Sequence, residues 1–181
     1  MNDLLLLANL LDGPIHGYAL KKQVGLIAGN PAMHNNLVYP VLRRFVAKGW
    51  VKQKKVPGQR GQTRVVYSLT SAGRAELLQR LGEFGPEEAR SPDAFQLRVG
   101  LFEFLDETTR DNILAQRRDY LGQREKKLTN LQGQLEIGHY GNEVIRFLKQ
   151  QARAELGWIA NLDDRATQIF RRKRDEGKGL R

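Results

Sequence analysis

The apolar positions at the start of the chain follow the spacing of amphipathic α-helices. Three such stretches succeed one another, over residues 4–11, 15–27 and 36–47. In each of them, apolar side chains recur three or four residues apart and therefore fall on one side of a helix. The turn DGP closes the first stretch, and Gly49 follows the third at the position expected for a C-terminal cap. The pattern predicts three consecutive helices.

The spacing changes from helical to extended after Gly49. Residues 50–56 and 64–69 are rich in Val, Tyr and Trp, and the second run alternates apolar and polar positions as a half-buried strand does. The segment PGQRGQ between them predicts a hairpin. Thr70 has the position of an N-cap for a fourth helix over residues 71–81. Three helices, a hairpin and a further helix are the elements of a winged helix-turn-helix.

The second half of the chain has the pattern of long helices that pack against a partner. A polar stretch with Gly and Pro, residues 82–93, precedes an apolar helix over residues 95–105. Leucines then recur every seven residues, which predicts a stripe that needs a partner helix. They are Leu114, Leu121, Leu128 and Leu135. Arg117 and Arg124 interrupt this stripe, and a last helix over residues 145–169 leads into the basic tail RRKRDEGKGLR.

These elements predict a mainly α-helical protein with a small β-hairpin. The N-terminal domain, residues 1–85, is expected to be a winged helix-turn-helix, and residues 86–181 are expected to form a long-helix dimerisation domain with a basic tail. The start MNDLLLLANLLDG has an apolar run too short for a signal peptide or a membrane span. We therefore expect a cytoplasmic protein without a membrane partner.

Positive charge is concentrated in the first predicted domain. Residues 1–85 hold twelve Lys and Arg against four Asp and Glu, whereas residues 86–170 hold twelve against fourteen. No acidic residue occurs between Asp12 and Glu76. A basic, acid-free stretch of this length favours a surface that meets a polyanion, although a solvated basic face has the same composition.

The residues give no support for a catalytic or metal site. The chain has no cysteine, which excludes disulfides and thiolate ligands, and its three histidines are far apart in sequence. The hairpin glycines lie between two strands and lack the Lys-Ser/Thr pair of a phosphate-binding P-loop. No pair of a nucleophile and a base stands out. We expect no enzyme activity, no cofactor and no metal.

The third predicted helix has the residue types of a DNA recognition helix opposite its apolar stripe. With an advance of about 100° per residue, the face opposite Val38, Leu42 and Phe45 carries Asn36, Pro40, Arg43 and Ala47, with Tyr39 and Arg44 beside it. An amide and a guanidinium can pair with base edges, and a helix fits the major groove. Pro40 lacks an N–H group for the helical hydrogen-bond pattern. The helix therefore either begins near residues 36–37 or bends at Pro40. A polar face turned to solvent would look the same.

The hairpin would project beside this helix as the wing. Arg60 and Arg64 are expected to reach phosphate oxygens, while the loop glycines allow a tight bend and a close approach. Lys52, Lys54 and Lys55 add positive charge to the first strand. The position of the hairpin therefore favours a nucleic-acid interface over a nucleotide site.

Three ordered motifs resemble the PadR-type transcriptional regulators. They are LLDGPIHGYALKK at residues 10–22, VYPVLRRFVAKGWV at residues 38–51 and GQTRVVYSLTSAGRAEL at residues 61–77. The resemblance implies a winged-helix DNA-binding domain in a homodimer, usually a repressor. The sequence departs from the family pattern at two places. Asn36-Leu37 stands where the family commonly has Gly-Thr, and Gln62 stands where it commonly has an arginine. The operator sequence therefore does not carry over.

The resemblance also assigns roles to individual residues. It places Tyr18 near the DNA backbone, Tyr39 in the recognition helix and Arg64 in the wing. His16 is more simply explained as a structural histidine, and Tyr39 as partly core. The predicted DNA-binding residues are Tyr18, Asn36, Tyr39, Pro40, Arg43, Arg44, Arg60 and Arg64.

The C-terminal half resembles the longer PadR subgroup more loosely. Its recognisable segments are FQLRVGLFEFL and AELGWIANL. The subgroup implies a helical extension that builds the dimer, and a response to a small aromatic or drug-like effector. Tyr120, Phe147 and Trp158 on these helices are candidates for contact with such an effector, but an aromatic residue on a helix is more often part of the core.

The leading hypothesis is a PadR-like transcriptional repressor that binds a pseudo-palindromic operator in double-stranded DNA as a homodimer. A non-specific architectural DNA-binding protein is the alternative, because the same charge distribution and the basic tail would serve it. A winged helix used only for protein contacts is a further alternative, and it predicts no DNA binding.

Overall fold

A computed structural model describes five segments of the chain, residues 2–20, 22, 35–57, 62–134 and 138–178. Side chains are described for residues 3–20, 22, 38–57, 62–132 and 138–162. The chain forms two compact units. The first comprises Met1–Phe84 and Ser91–Arg110, and the second comprises Gly85–Arg90 and Asp111–Arg181. The predicted functional division after residue 85 stays a prediction.

The described segments contain seven labelled helices, one short 3-10 turn and three strands. In chain order they are α1 (Asn2–Ala8), β1 (Ile15–His16), α2 (Asn35–Ala47), β2 (Val51–Pro57), β3 (Thr63–Leu69), α3 (Ser71–Gly82), α4 (Pro86–Arg90), α5 (Pro92–Val99), the 3-10 turn Phe102–Phe104, α6 (Glu107–Gln134) and α7 (His139–Lys178). The predicted fold class, mainly helical with a small hairpin, is confirmed.

The hairpin belongs to a three-stranded antiparallel sheet with the order β1-β3-β2. The third strand was not predicted: residues 15–16 were assigned to a helix over residues 15–27, but Ile15 pairs with Tyr67 and His16 with Val66. The pairing overrides the helical spacing because it satisfies backbone groups and places Ile15 beside the core. Residues 17–20 and 22 are helical, and the rest of that predicted helix lies outside the described residues.

Helix α1 is buried on all sides rather than on one stripe. Every side chain from Leu4 to Ala8 is buried, and the helix ends at Ala8 instead of continuing to Leu11. A helix that is apolar all round belongs inside a core. The acidic residue in its first turn, Asp3, is half-buried at the edge of this core.

The core of the first unit confirms the predicted apolar stripe of the third helix. Val38, Leu42 and Phe45 are fully buried, and Val41 is half-buried. They pack in one cluster with residues from α1, β3 and α3, such as Leu77. Helix α2 begins at Asn35, close to the predicted start, and continues through Pro40.

Arg98 explains why residues after the predicted linker pack with the first unit. Its buried guanidinium donates hydrogen bonds to the carbonyl oxygens of Leu81, at 3.0 Å, and Glu83, at 2.8 Å. These carbonyls lie at the C-terminal end of α3, where helix carbonyls have no partner within the helix. A cation there also opposes the negative end of the helix dipole. The predicted polar stretch, residues 82–93, contains α4 and the start of α5.

The second unit is an antiparallel pair formed by α6 and α7. Gln132 Nε2 donates to Asn142 Oδ1 at 3.1 Å near one end of the pair, and Arg117 meets Glu155 toward the other. Leu114 and Leu121 of the predicted leucine stripe are buried, whereas Leu135 lies outside the described residues. Among the described side chains of α7, residues 139–162, the buried ones are Ile145, Ala152 and Ile159. The stripe therefore finds a partner helix within its own chain.

Arg117 interrupts the leucine stripe because it makes a buried ion pair. Its side chain is only 1% exposed. Its Nε and Nη2 atoms donate to the two carboxylate oxygens of Glu155 at 2.7 and 2.8 Å, and its Nη1 donates to the Ala89 carbonyl oxygen at 2.5 Å. One side chain thus joins α4, α6 and α7.

We predict that Arg117→Met lowers the free energy of unfolding of the second unit by about 3–5 kcal/mol, because Glu155 loses the partner that offsets its desolvation. The matched control is Arg153→Met, since Arg153 also pairs across the two helices, with Glu125, but is 65% exposed. Its loss should cost about 0.2–1 kcal/mol. Chemical denaturation followed by circular dichroism measures both, and equal losses would contradict the burial argument.

Candidate nucleic-acid interface

The exposed face of α2 consists of Pro40, Arg43 and Ala47, and is called the α2 face below. All three side chains are exposed, on the side of the helix opposite Val38, Leu42 and Phe45. The backbone of Asn36 belongs to the same helix, but its side chain lies outside the described residues. The structure therefore keeps a guanidinium and two small side chains accessible on one helix surface.

Tyr39 borders the α2 face on the side of the sheet. It is half-buried and packs against the core. A Cβ atom added to Gly17 would lie 3.1 Å from both the Tyr39 and the Tyr67 rings, so the backbone at Gly17 lies against the two aromatic side chains. Tyr39 thus contributes to packing and leaves only part of its side chain available to a ligand.

The electrostatics around Tyr67 leave the charge of Arg43 available. Burial raises the pKa of the Tyr67 hydroxyl above its usual value, and Tyr39 acts in the same direction, while the nearby Arg43 guanidinium lowers it. Since the net direction is upward, Tyr67 stays neutral at physiological pH. No phenolate forms beside Arg43 to neutralise it.

Arg44 borders the α2 face on the side of α1. Its Nη2 atom forms an ion pair with Asp3 Oδ2, and the two side chains are 50% and 32% exposed. Arg44 was predicted beside Arg43 as a DNA-binding residue, but the two differ in surroundings. Among the described residues, Arg44 has an ion-pair partner and Arg43 has none.

The basic side chains of the hairpin are divided between the two sides of the sheet. Residues that face each other across antiparallel strands lie on the same side. Lys52 and Lys54 pair with Ser68 and Val66 and therefore share a side with Arg64. Lys55 pairs with Val65, which packs against the core, and so projects from the opposite side. Arg60 lies outside the described residues.

Tyr18 is 76% exposed. It follows Gly17 at the start of the helical residues 17–20. His16 is also exposed, and its pairing with Val66 places it on the same side of the sheet as Arg64 and Lys54. The phenol of Tyr18 is therefore accessible to a ligand.

The end of α2 is capped in a way that fixes the start of the hairpin. Gly49 has a φ of 72°, and the N–H groups of Gly49 and Trp50 donate to the carbonyl oxygens of Val46 and Phe45 at 3.0 and 2.9 Å. The Phe45 and Trp50 rings lie 5.6 Å apart. These are the bonds and the apolar contact of a Schellman motif, which confirms the predicted role of Gly49.

The other end of the hairpin is tied to the same point. Thr70 Oγ1 accepts a hydrogen bond from Gly73 N at 3.0 Å, as predicted for an N-cap, and donates toward the carbonyl oxygens of Gly49 and Trp50. The Trp50 ring lies under two cations, Lys48 Nζ at 4.4 Å and the Arg80 guanidinium at 4.9 Å. The base of the hairpin is therefore held by α2 and α3 together.

Comparison with known proteins assigns the first unit. A family model described as "Transcriptional regulator PadR-like family" matches residues 6–79. These residues form a PadR-like domain. The match includes the α2 face, Gly17, the described hairpin strands and most of α3. The predicted resemblance to this family of transcriptional regulators is confirmed over these residues.

Solved structures similar to the chain include other proteins of this kind. Bacillus subtilis PadR in complex with operator DNA is 19% identical, with 88% of this chain and 95% of that chain covered and a TM-score of 0.44. A PadR family transcription regulator from Clostridium difficile is 26% identical, with 46% and 85% covered and a TM-score of 0.40. TM-scores this low do not establish a shared fold, so the assignment rests on the family match. No curated protein matches the chain.

Over the described segments, no helix combines the length and apolar character needed to cross a bilayer. Within the same residues, no three His, Cys, Asp or Glu side chains lie close enough together to hold a metal ion.

Gly73 of the PadR-like domain is a position that the sequence did not explain, because a capping box would have Glu there. A Cβ atom at Gly73 would lie 2.0 Å from the Trp50 carbonyl oxygen, which is far inside contact distance. We predict that Gly73→Ala destabilises the domain by about 1–3 kcal/mol, as overpacking does. In the same helix, Gly82→Ala is the control, since its Cβ would make an ordinary 3.5 Å contact with Thr109. Thermal unfolding should separate the two variants, and a stabilised Gly73→Ala protein would contradict the clash.

Proposed function

We propose that the protein is a transcriptional repressor that binds a pseudo-palindromic operator in double-stranded DNA as a homodimer. The observation that carries the proposal is the α2 face: an exposed strip with an unneutralised arginine, on a helix whose other side is locked into the core of a PadR-like domain. An exposed strip of this kind on a rigid helix suits insertion into a major groove.

In this proposal the residues of the interface have different tasks. Arg43 makes paired hydrogen bonds to a guanine edge, and Asn36 reads an adjacent base, while Pro40 and Ala47 allow close approach. Tyr18, Tyr39, Arg60 and Arg64 contact sugars or phosphates and set the position of the domain on the duplex. Lys52 and Lys54 support Arg64 from the same side of the sheet.

The homodimer is supported by an exposed apolar stripe on α7. Tyr140, Val144, Phe147 and Trp158 project from one side of the helix, and Tyr140 and Phe147 are 84% and 58% exposed. This stripe, called the α7 stripe below, is separate from the buried side that packs on α6. Exposed apolar residues in a row indicate a protein interface. Two copies of α7 would cover each other's stripes around a two-fold axis.

The family resemblance extends the proposal to release of the DNA by a small aromatic or drug-like effector. Phe147 and Trp158 were expected in the core, but both are exposed and belong to the α7 stripe. A repressor acts where the chromosome lies, so the proposal includes a cytoplasmic location.

We predict that Arg43→Ala relaxes base preference at a cost of about 1–3 kcal/mol in operator affinity, because a base-reading group is lost. Arg64→Ala should weaken binding to operator and random duplex alike and lower the salt slope by roughly one. The measurement is a fluorescence anisotropy titration at several salt concentrations. The operator for it is recovered by selecting bound fragments from the source genome.

The same titration decides between the proposal and its alternatives. A wild-type affinity ratio near one between recovered and random duplex would favour a non-specific architectural protein. Equal losses for Arg43→Ala and Arg64→Ala on both duplexes would contradict the division between base reading and phosphate contact. No binding to any duplex would leave a winged helix that serves protein contacts.

We predict that Phe147→Arg shifts the protein from dimer toward monomer, because it places a charge in the centre of the α7 stripe. Ala160→Arg introduces the same charge at an exposed position on another side of α7 and should leave the dimer intact. Sedimentation velocity measures the two species. A dimer unaffected by Phe147→Arg would place the interface elsewhere.

A further inference from the structure

Asp3 has an unusual place among the charges of the PadR-like half of the chain. Only two acidic residues, Asp3 and Asp12, precede Glu76 in the sequence. Asp3 forms an ion pair with Arg44, at the border of the α2 face. An acidic group is thus placed at the edge of a surface that is otherwise basic.

The position of Asp3 is fixed by the packing of its helix. The residues that follow it, Leu4 to Leu7, are all buried in the core of the first unit. Helix α1 therefore holds the carboxylate beside α2 and restricts its freedom to turn away. Arg44 lies on α2, somewhat less than two turns after Val38. Because Val38 is fully buried, the position of α2, and with it that of Arg44, is also fixed by the core. The pair joins two elements whose separation is set by the core.

The ion pair contributes little to the stability of the fold. Its side chains are 50% and 32% exposed, and solvent screens most of the attraction between charges with that exposure. We expect the ion pair to matter more for the affinity for DNA than for the stability of the fold. Each phosphate contact changes the slope of log affinity against log salt by about 0.9, and phosphate contacts dominate non-specific binding.

We propose that Asp3 is an affinity-limiting counter-charge: it holds the Arg44 guanidinium away from DNA phosphates and so lowers the sequence-independent part of the affinity for DNA. The proposal rests on the DNA-binding function proposed above. A phosphate that approaches Arg44 must displace a carboxylate that helix α1 holds in place, and it also meets the repulsion of that carboxylate. Arg43 is not subject to this competition and remains available for base edges.

The test compares Asp3→Asn with Asp12→Asn, which removes the same charge from the same N-terminal segment. Asp12 is exposed in the turn after α1, and no ion pair joins it to a described residue. Affinity for random duplex and for the recovered operator is measured by anisotropy over a range of salt concentrations. Asp3→Ser serves as a second neutral variant, and thermal unfolding on the same samples verifies that each variant is folded.

The expected result is a roughly two- to fivefold gain in affinity for random duplex with Asp3→Asn, a salt slope steeper by about 0.9 and a similar gain on the operator. The gain should disappear when Arg44→Gln is added to Asp3→Asn, because Arg44 is the group released. Asp12→Asn should produce neither the gain nor the change in slope.

Three outcomes would overturn the inference. They are an unchanged affinity in both Asp3 variants, an equal gain with Asp12→Asn, and a gain that persists in the double variant. Each of these leaves operator binding by the wild-type protein standing, so the proposed function survives. Failure of the wild-type protein to bind any duplex would overturn the proposed function and this inference with it.

Discussion

The burial of one side of α2 decides what the first unit can present to a partner. Val38, Leu42 and Phe45 fix the rotation of the helix about its axis, since turning it would expose them and bury Arg43. The apolar core therefore acts as the support of the interface. The same constraint brings Tyr39 against the sheet and Arg44 against α1, so both borders of the α2 face are set by packing.

The hairpin depends on this helix through a short chain of backbone contacts. The C-terminal cap of α2 at Gly49 and Trp50 leads directly into β2. Thr70, at the end of β3, donates to the carbonyl oxygens of these same two residues. Gly73 lets α3 approach the Trp50 carbonyl closely enough to close this arrangement. Local geometry at this point thus sets the relative placement of helix and wing, and the two basic strands extend from it.

Local signals in the sequence were sufficient where neighbours along the chain determine the structure. The stripe of α2, the cap at Gly49, the N-cap at Thr70 and the two long strands were all predicted, since each depends on residues a few positions apart. Long-range partners were not visible in this way. Residues 15–16 follow a helical spacing, but their pairing with β3 makes them a strand.

The same limit applies to the charged and aromatic side chains. The helical spacing predicts on which side of α2 Arg44 lies. It does not predict the ion pair with Asp3, because Asp3 lies on another helix. Arg117 looked like a defect in the leucine stripe because Glu155 is far away in the sequence. Phe147 and Trp158 were expected in the core, since helical spacing alone does not say which of two apolar sides is covered. The DNA-binding roles of all the predicted residues remain predictions, and the side chains of Asn36 and Arg60 lie outside the described residues.

The placement of Trp50 also has a spectroscopic consequence. The chain has two tryptophans, Trp50 in the first unit and Trp158 in the second. Because Trp50 lies beneath the cationic groups of Lys48 and Arg80 at the base of the hairpin, its indole emission depends on whether α2, the wing and α3 keep their mutual arrangement. In a Trp158→Phe background, the tryptophan fluorescence would come from Trp50 alone. A change in structure at the base of the hairpin could then be followed without an added label.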